Sequence, residues 1–156
     1  MIYVFDTSSL SALKHFYPVI FKSIWTGLDD LVQQQKLIST REVWNEMERG
    51  NPDQHTNEWL KTRKEIFTTP SAAELQFVAQ IFQIPHFQGL IGQKQRLTGA
   101  PVADPFVIAC AKVKEGTVVT EEQFKPEAAK IPNVCQHFNV PCIDLENFMQ
   151  QQGWSF

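Results

Sequence analysis

The stretch Ile2-Tyr3-Val4-Phe5 constrains the fold of this chain more than any other. Four apolar, strand-favouring residues run without a polar interruption. That suits a short strand buried on both faces in the middle of a parallel sheet. The run ends in Asp6, followed by three small hydroxyl residues, Thr7, Ser8 and Ser9. In open α/β sheets, ligands bind beyond the carboxyl ends of the strands, near the point where strand order reverses. Asp6 is therefore expected to floor an acidic site to which the rest of the chain brings further carboxylates.

Ser8 or Ser9 is placed to cap a short helix reaching Lys14. From Val19 to Gln35, the residues Ile20, Phe21, Ile24, Trp25, Leu28, Leu31 and Val32 recur at helical spacing, which predicts an amphipathic helix with Asp29 and Asp30 toward solvent. Leu37-Ile38-Ser39 is a second strand. Thr40 then caps a helix to about Arg49, with Val43, Trp44 and Met47 as its apolar stripe and Gly50 as its stop. A helix is expected from Thr56 to Arg63, and an extended segment from Ile66 to Thr69. Ser71 and Glu74 form a capping box before Leu75, Val78, Ala79 and Phe82.

Residues 84–103 are irregular and are made basic by Lys94 and Arg96; a substrate-facing arm and a plain surface connection both fit them. Asp104-Pro105 opens a helix, with Asp as the cap and Pro at the first helical position. Phe106, Val107, Ala109, Cys110 and Val113 face inward, and Gly116 ends it. The β-branched run Thr117 to Thr120 is a buried strand, followed at once by Glu121 and Glu122. A short helix over Asn133–Phe138, a strand over Val140–Ile143 and a helix over Asp144–Gln151 close the chain. Strands separated by helices imply right-handed parallel crossovers. The expected fold is a three-layer α/β/α domain around a central parallel sheet of about four to five short strands.

At 156 residues the chain is expected to be a single domain over 1–156, long enough to bury a sizeable core. A net charge of -3 offers nucleic acid no global attraction, so any such binding needs a local patch or a bound cation. Met1 leads straight into the strand without a leader, and no apolar run reaches the roughly 18 residues of a membrane span. A cytoplasmic location is expected. The cysteines number 3 and have no zinc spacing, which fits free thiols in a reducing compartment. His15, His55, His86 and His137 show no ligand spacing either.

Acids recur at comparable places. Asp6 ends the first strand, Glu46 lies on the helix after the second, Asp104 starts a helix, and Glu121 and Glu122 end a later strand. Glu46 is preferred to Glu42, which with Glu48 is expected to be a solvated charge; Asp144 is expected to cap the last helix. In a parallel sheet Asp6 and the Glu121/Glu122 pair emerge at one edge, and the N-terminus of the Asp104 helix points to that edge too. Crowded carboxylates repel and raise one another's pKa, and are tolerated when they hold a hard cation. Donors that are all oxygen point to Mg²⁺ or Mn²⁺ rather than zinc. Such an ion suits phosphodiester hydrolysis, because it activates water and offsets charge in the transition state. Arg41, Lys94, Arg96 and Lys130 are candidates for an RNA backbone, with a solvated role equally open to each.

Asp6-Thr7-Ser8, Glu46 followed by Gly50, Asp104-Pro-Phe-Val-Ile-Ala and Thr120-x-Glu122 resemble the ordered signature of PIN domains, including VapC-type toxins. The resemblance spans the chain from Asp6 to the last strand. It implies a Mg²⁺- or Mn²⁺-dependent endoribonuclease on a parallel sheet, a role as the toxin of a toxin–antitoxin pair neutralised by a cognate protein antitoxin, and homodimerisation. Carried over, Asp6, Glu46, Asp104 and Glu122 are the catalytic and metal-holding acids. Thr7, Ser8 and Thr120 orient them or their waters, and Glu121 is a substitute for Glu122. Many family members carry Asp where Glu122 stands, so the alternative is a catalytically inactive PIN-like binding or regulatory module.

Overall fold

The computed structural model describes residues 1–50, 54–92 and 102–155. Five strands form one parallel sheet: β1 (Tyr3–Phe5), β2 (Leu37–Thr40), β3 (Phe67–Thr68), β4 (Thr117–Val119) and β5 (Cys142–Ile143). Their order is β3-β2-β1-β4-β5, so the first strand lies in the middle, as its unbroken apolar run predicts. Tyr3 pairs with Leu37 on one side and Thr117 on the other. The order reverses at β1, and Asp6 leaves the sheet there.

Among the described residues the helices are α1 (Thr7–Ala12), α2 (Lys22–Gln33), α3 (Arg41–Arg49), α4 (Gln54–Lys61), α5 (Ala72–Phe82), α6 (Asp104–Lys114), α7 (Ile131–Phe138) and α8 (Leu145–Gln151). They cover both faces of the sheet in three layers. Successive strand side chains alternate between faces. Tyr3 and Phe5 meet Phe148 of α8 edge-on at 4.9 and 5.0 Å, whereas α6 packs across β1, β2 and β4 and against α5. Among the described residues, no helix is long and apolar enough to cross a membrane.

Several local expectations are corrected. Asp6 itself caps α1, its side chain accepting from the Ser9 N–H, so neither Ser8 nor Ser9 is the cap. The helix expected from Val19 starts only at Lys22, because Ile20 and Phe21 turn back to the Tyr17 carbonyl after Pro18. Val19 and Ile20 are left 81% and 71% exposed. Asp29 is half-buried rather than solvated, since it accepts from Trp59 at 2.8 Å and from Arg63 at 2.6 Å, tying α2 to α4.

In α5 the capping box forms, but its Glu74 is itself buried and pairs with Lys114 at 3.3 Å. This turns the inward stripe to Glu74, Phe77, Val78 and Ile81, so that Leu75 and Ala79 face out. Val113 is likewise exposed. Glu115, in the left-handed conformation at φ 56°, ends α6, not Gly116. Gly116 answers a different need: a Cβ there would lie 2.8 Å from the Ile2 carbonyl oxygen, which accepts the Thr117 N–H. Glu42 is buried and paired with Arg41, in contrast to its expected solvation.

Candidate functional site

A parallel sheet delivers the ends of all its strands to one edge, and the turns leaving β1 and β4 are sewn together there. Asp6 is 1% exposed. Its Oδ1 accepts from the Ser9 N–H at 2.8 Å and lies 2.9 Å from the hydroxyls of Ser8 and Ser9. Its Oδ2 accepts from Thr120 at 2.6 Å and from Ser8 at 2.8 Å. The same two hydroxyls accept in turn: Ser8 from the Glu121 N–H at 2.9 Å, and Thr120 from the Glu122 N–H at 3.1 Å. Burial holds the Asp6 carboxyl above its ordinary range, while the Thr120, Ser9 and Ser8 donors pull it back.

Glu46 reaches the site from the last turn of α3. Its Oε1 accepts from the Thr7 hydroxyl and its Oε2 from the Ala103 N–H, both at 2.7 Å. Asp104 was expected to be the N-cap of its helix. Instead Ala103 occupies that position, and Asp104 is the first helical residue, followed by Pro105. Its carboxylate is thus released from capping. Burial pushes the Asp104 carboxyl to about 8, reinforced by the charges of Glu122, Glu46 and Asp6 and opposed by Lys130.

Glu122 is half-buried. Its pKa is raised by burial and then by Asp6; a bond from the Ile131 N–H, the Lys130 charge and a hydrogen bond with Asp104 pull it down. A bond between two carboxyl groups needs one shared proton, so Asp104 and Glu122 titrate as a pair.

Glu121 turns elsewhere: it is exposed, and its Oε1 accepts the Leu145 N–H at 2.8 Å at the start of α8. Asp144 caps the same helix as expected. Of the two adjacent glutamates, Glu122 is the one in electrostatic contact with Asp6 and Asp104. Arg41 is held by Glu42 at 2.9 Å. Lys94 and Arg96 lie outside the described residues. Lys130, just before α7, is the described cation whose charge acts on Asp104 and Glu122.

Among the described residues, no three His, Cys, Asp or Glu side chains converge as a ready-made metal cage. The donors nonetheless suit Mg²⁺, which takes one or two carboxylates directly and otherwise keeps its waters. Asp104 fits best, since among the described residues its carboxylate accepts fewer protein donors than those of Asp6 and Glu46. A cleft of about 380 Å³ opens beside Glu122, between Thr120, Phe124 and Pro132. A larger, mainly apolar cleft of about 440 Å³ lies between Phe16, Phe21, Met149 and Trp154, and only Glu121 brings it near the acids.

The family model described as "Domain of unknown function (DUF4411)" matches residues 3–156. The chain belongs to this family. No curated protein matches the sequence. This DUF4411 chain is similar in structure to VapBC2 from Rickettsia felis, whose crystal structure is bound to a DNA fragment from their promoter. The TM-score is 0.51 at 14% identity, covering 92% of this chain and 98% of that one. PAE2754 from Pyrobaculum aerophilum aligns at TM-score 0.48 and 16% identity, covering 97% of this chain and 96% of that one. At these identities the likeness is one of fold. The DUF4411 chain has the expected PIN-like fold, three-layered and with an all-parallel sheet.

Proposed function

We propose that this chain is a Mg²⁺- or Mn²⁺-dependent endoribonuclease, the toxin of a toxin–antitoxin pair, acting in the cytoplasm and held in check by a protein antitoxin. The observation that carries the reading is the mutual repulsion of Asp6, Glu46, Asp104 and Glu122, which come from four distant parts of the chain and act together on one carboxyl. Helix capping and hydrogen bonding account for Asp6 and Glu46 taken singly, not for the gathering of all four acids, which a hard cation relieves. The likeness in fold to VapBC2 supports the same reading.

In this reading Asp104, with the remaining lone pair of Asp6, holds the ion. A bound Mg²⁺ or Mn²⁺ offsets the charge of acids and phosphate and lowers the pKa of the attacking water. Glu122 stands on the open side, beside the 380 Å³ cleft, where its carboxylate would take a proton from an attacking water. Ser8 and Thr120 aim Asp6, and their hydrogen bonds favour its charged form against the opposing effect of burial. Lys130 meets the phosphate.

The test is cleavage of RNA by purified protein with Mg²⁺ or Mn²⁺. Asp6→Asn and Asp104→Asn are expected to abolish cleavage while circular dichroism stays native. Cleavage surviving in both variants, or in excess chelator, sinks the proposal. One observation favours the rival reading, an inactive binding or regulatory module: most lone pairs of Asp6 and Glu46 are already filled by protein donors. Calorimetric titration decides between them, since the rival binds no divalent cation at millimolar concentration.

A further inference from the structure

Glu46 was grouped with the metal-holding acids, yet both of its oxygens are occupied by the protein. The Thr7 hydroxyl donates to one and the Ala103 N–H to the other, each at 2.7 Å. The second bond is the informative one. Ala103 is 0% exposed and is the N-cap of α6, the helix whose first residue is Asp104. Its methyl side chain cannot cap. Its carbonyl accepts from Phe106 and Val107 at 3.0 Å, which fixes the helix side of the residue. Among the described residues, the Glu46 carboxylate fixes the other side, at a helix N-terminus. Through Thr7, the same carboxylate ties this point to the residue that follows Asp6.

We propose that Glu46 is a positioning residue: it clamps Ala103 to Thr7 and so sets Asp104 opposite Asp6, and it is not itself a ligand of the cation. This rests on the metal-dependent reading for its consequence, but not for its geometry. The clamp needs an acceptor for the Ala103 N–H, any hydrogen-bonding partner for the Thr7 hydroxyl, and no charge of its own. Glutamine meets that need, because its carbonyl accepts the Ala103 N–H while its amide donates to the Thr7 hydroxyl, which serves equally as acceptor. Aspartate keeps the charge but is one methylene too short to span both partners. A ligand makes the opposite demand, charge first.

The experiment compares wild type, Glu46→Gln and Glu46→Asp by two readouts: amide exchange at Ala103 in the metal-free protein, and Mn²⁺ affinity by calorimetry. In wild type and in Glu46→Gln the Ala103 amide is expected to be protected, with Mn²⁺ affinities within a few-fold. Glu46→Asp is expected to lose that protection and to weaken Mn²⁺ binding by about 10–100-fold, as loss of an outer partner does. A protected Ala103 in Glu46→Gln combined with a tenfold or greater loss of affinity overturns the proposal and makes Glu46 a ligand. An unprotected Ala103 in wild type overturns it as well. If wild type binds no Mn²⁺, the nuclease reading fails, and the clamp is then judged by Ala103 protection alone across the same three proteins.

Discussion

The metal-free protein is expected to lose stability as pH rises from 5 to 7, and the loss is traceable to Asp104. Its carboxyl lies at about 8 in the folded chain against an ordinary 3.8. Between those values the folded chain holds a proton that the unfolded chain has released. The resulting stabilisation is complete below the unfolded value and disappears as pH rises through the folded one. Inside the window each pH unit removes at most about 1.4 kcal/mol, so two units remove at most about 3 kcal/mol. Asp104 is only half-buried, and solvent screening brings the expectation to about 1–2 kcal/mol. For a domain of this size that lowers Tm by about 2–8 °C. Asp6 and Glu122 are shifted in the same direction and add to the slope. The assay is thermal melting in chelator at pH 5, 6 and 7. Asp104→Asn mimics the protonated state, so it should be more stable than wild type at pH 7 and show a shallower pH slope. Millimolar Mg²⁺ at pH 7 should restore stability to wild type and not to the variant. A wild type as stable at pH 7 as at pH 5, or an Asp104→Asn slope equal to that of wild type, would refute the reasoning.

Ser71→Ala removes the capping box of α5 and should cost about 1 kcal/mol in urea denaturation, with the Mn²⁺ affinity unchanged. Gly116→Ala drives a methyl toward the Ile2 carbonyl and should cost about 1–3 kcal/mol by prying β1 from β4; unlike the first change, it should also weaken Mn²⁺ binding. Glu115→Gly relieves a left-handed residue and should raise stability by about 1 kcal/mol, read as a higher urea midpoint at constant slope. Lys130→Ala, made in an Asp104→Asn background, should weaken RNA binding and reduce its salt dependence by roughly one counterion's worth in a filter-binding titration.

The centre of this molecule is written plainly in its residues. Ile2 to Phe5 has no polar face, so it could only be a strand with neighbours on both sides, and the acid that ends it had to emerge where strand order reverses. Asp104 and Glu122 follow from the same geometry. The partners of those acids were harder to read. Glu46 binds a backbone amide 57 residues away, and an N–H has no signature in sequence. Which of two adjacent glutamates faces the site depends on the turn after β4, where the Ser8 and Thr120 hydroxyls fix both amides. Lys130 was one cation among several until α7 placed it beside Glu122. The stripe of α5 was read one position out of phase because a charged residue, Glu74, is buried through its cap and its pair with Lys114.

Because β1 lies at the middle of the sheet, it takes β2 as a neighbour early in synthesis and β4 only after the intervening residues have been made. Tyr3 must wait for Thr117. Until that segment clears the ribosome, Asp6 has no Thr120 to hold it and Asp104 has no Glu122 to meet. Contacts this far apart in sequence also close slowly. A nascent chain therefore lacks the complete acid set until β4 has paired with β1.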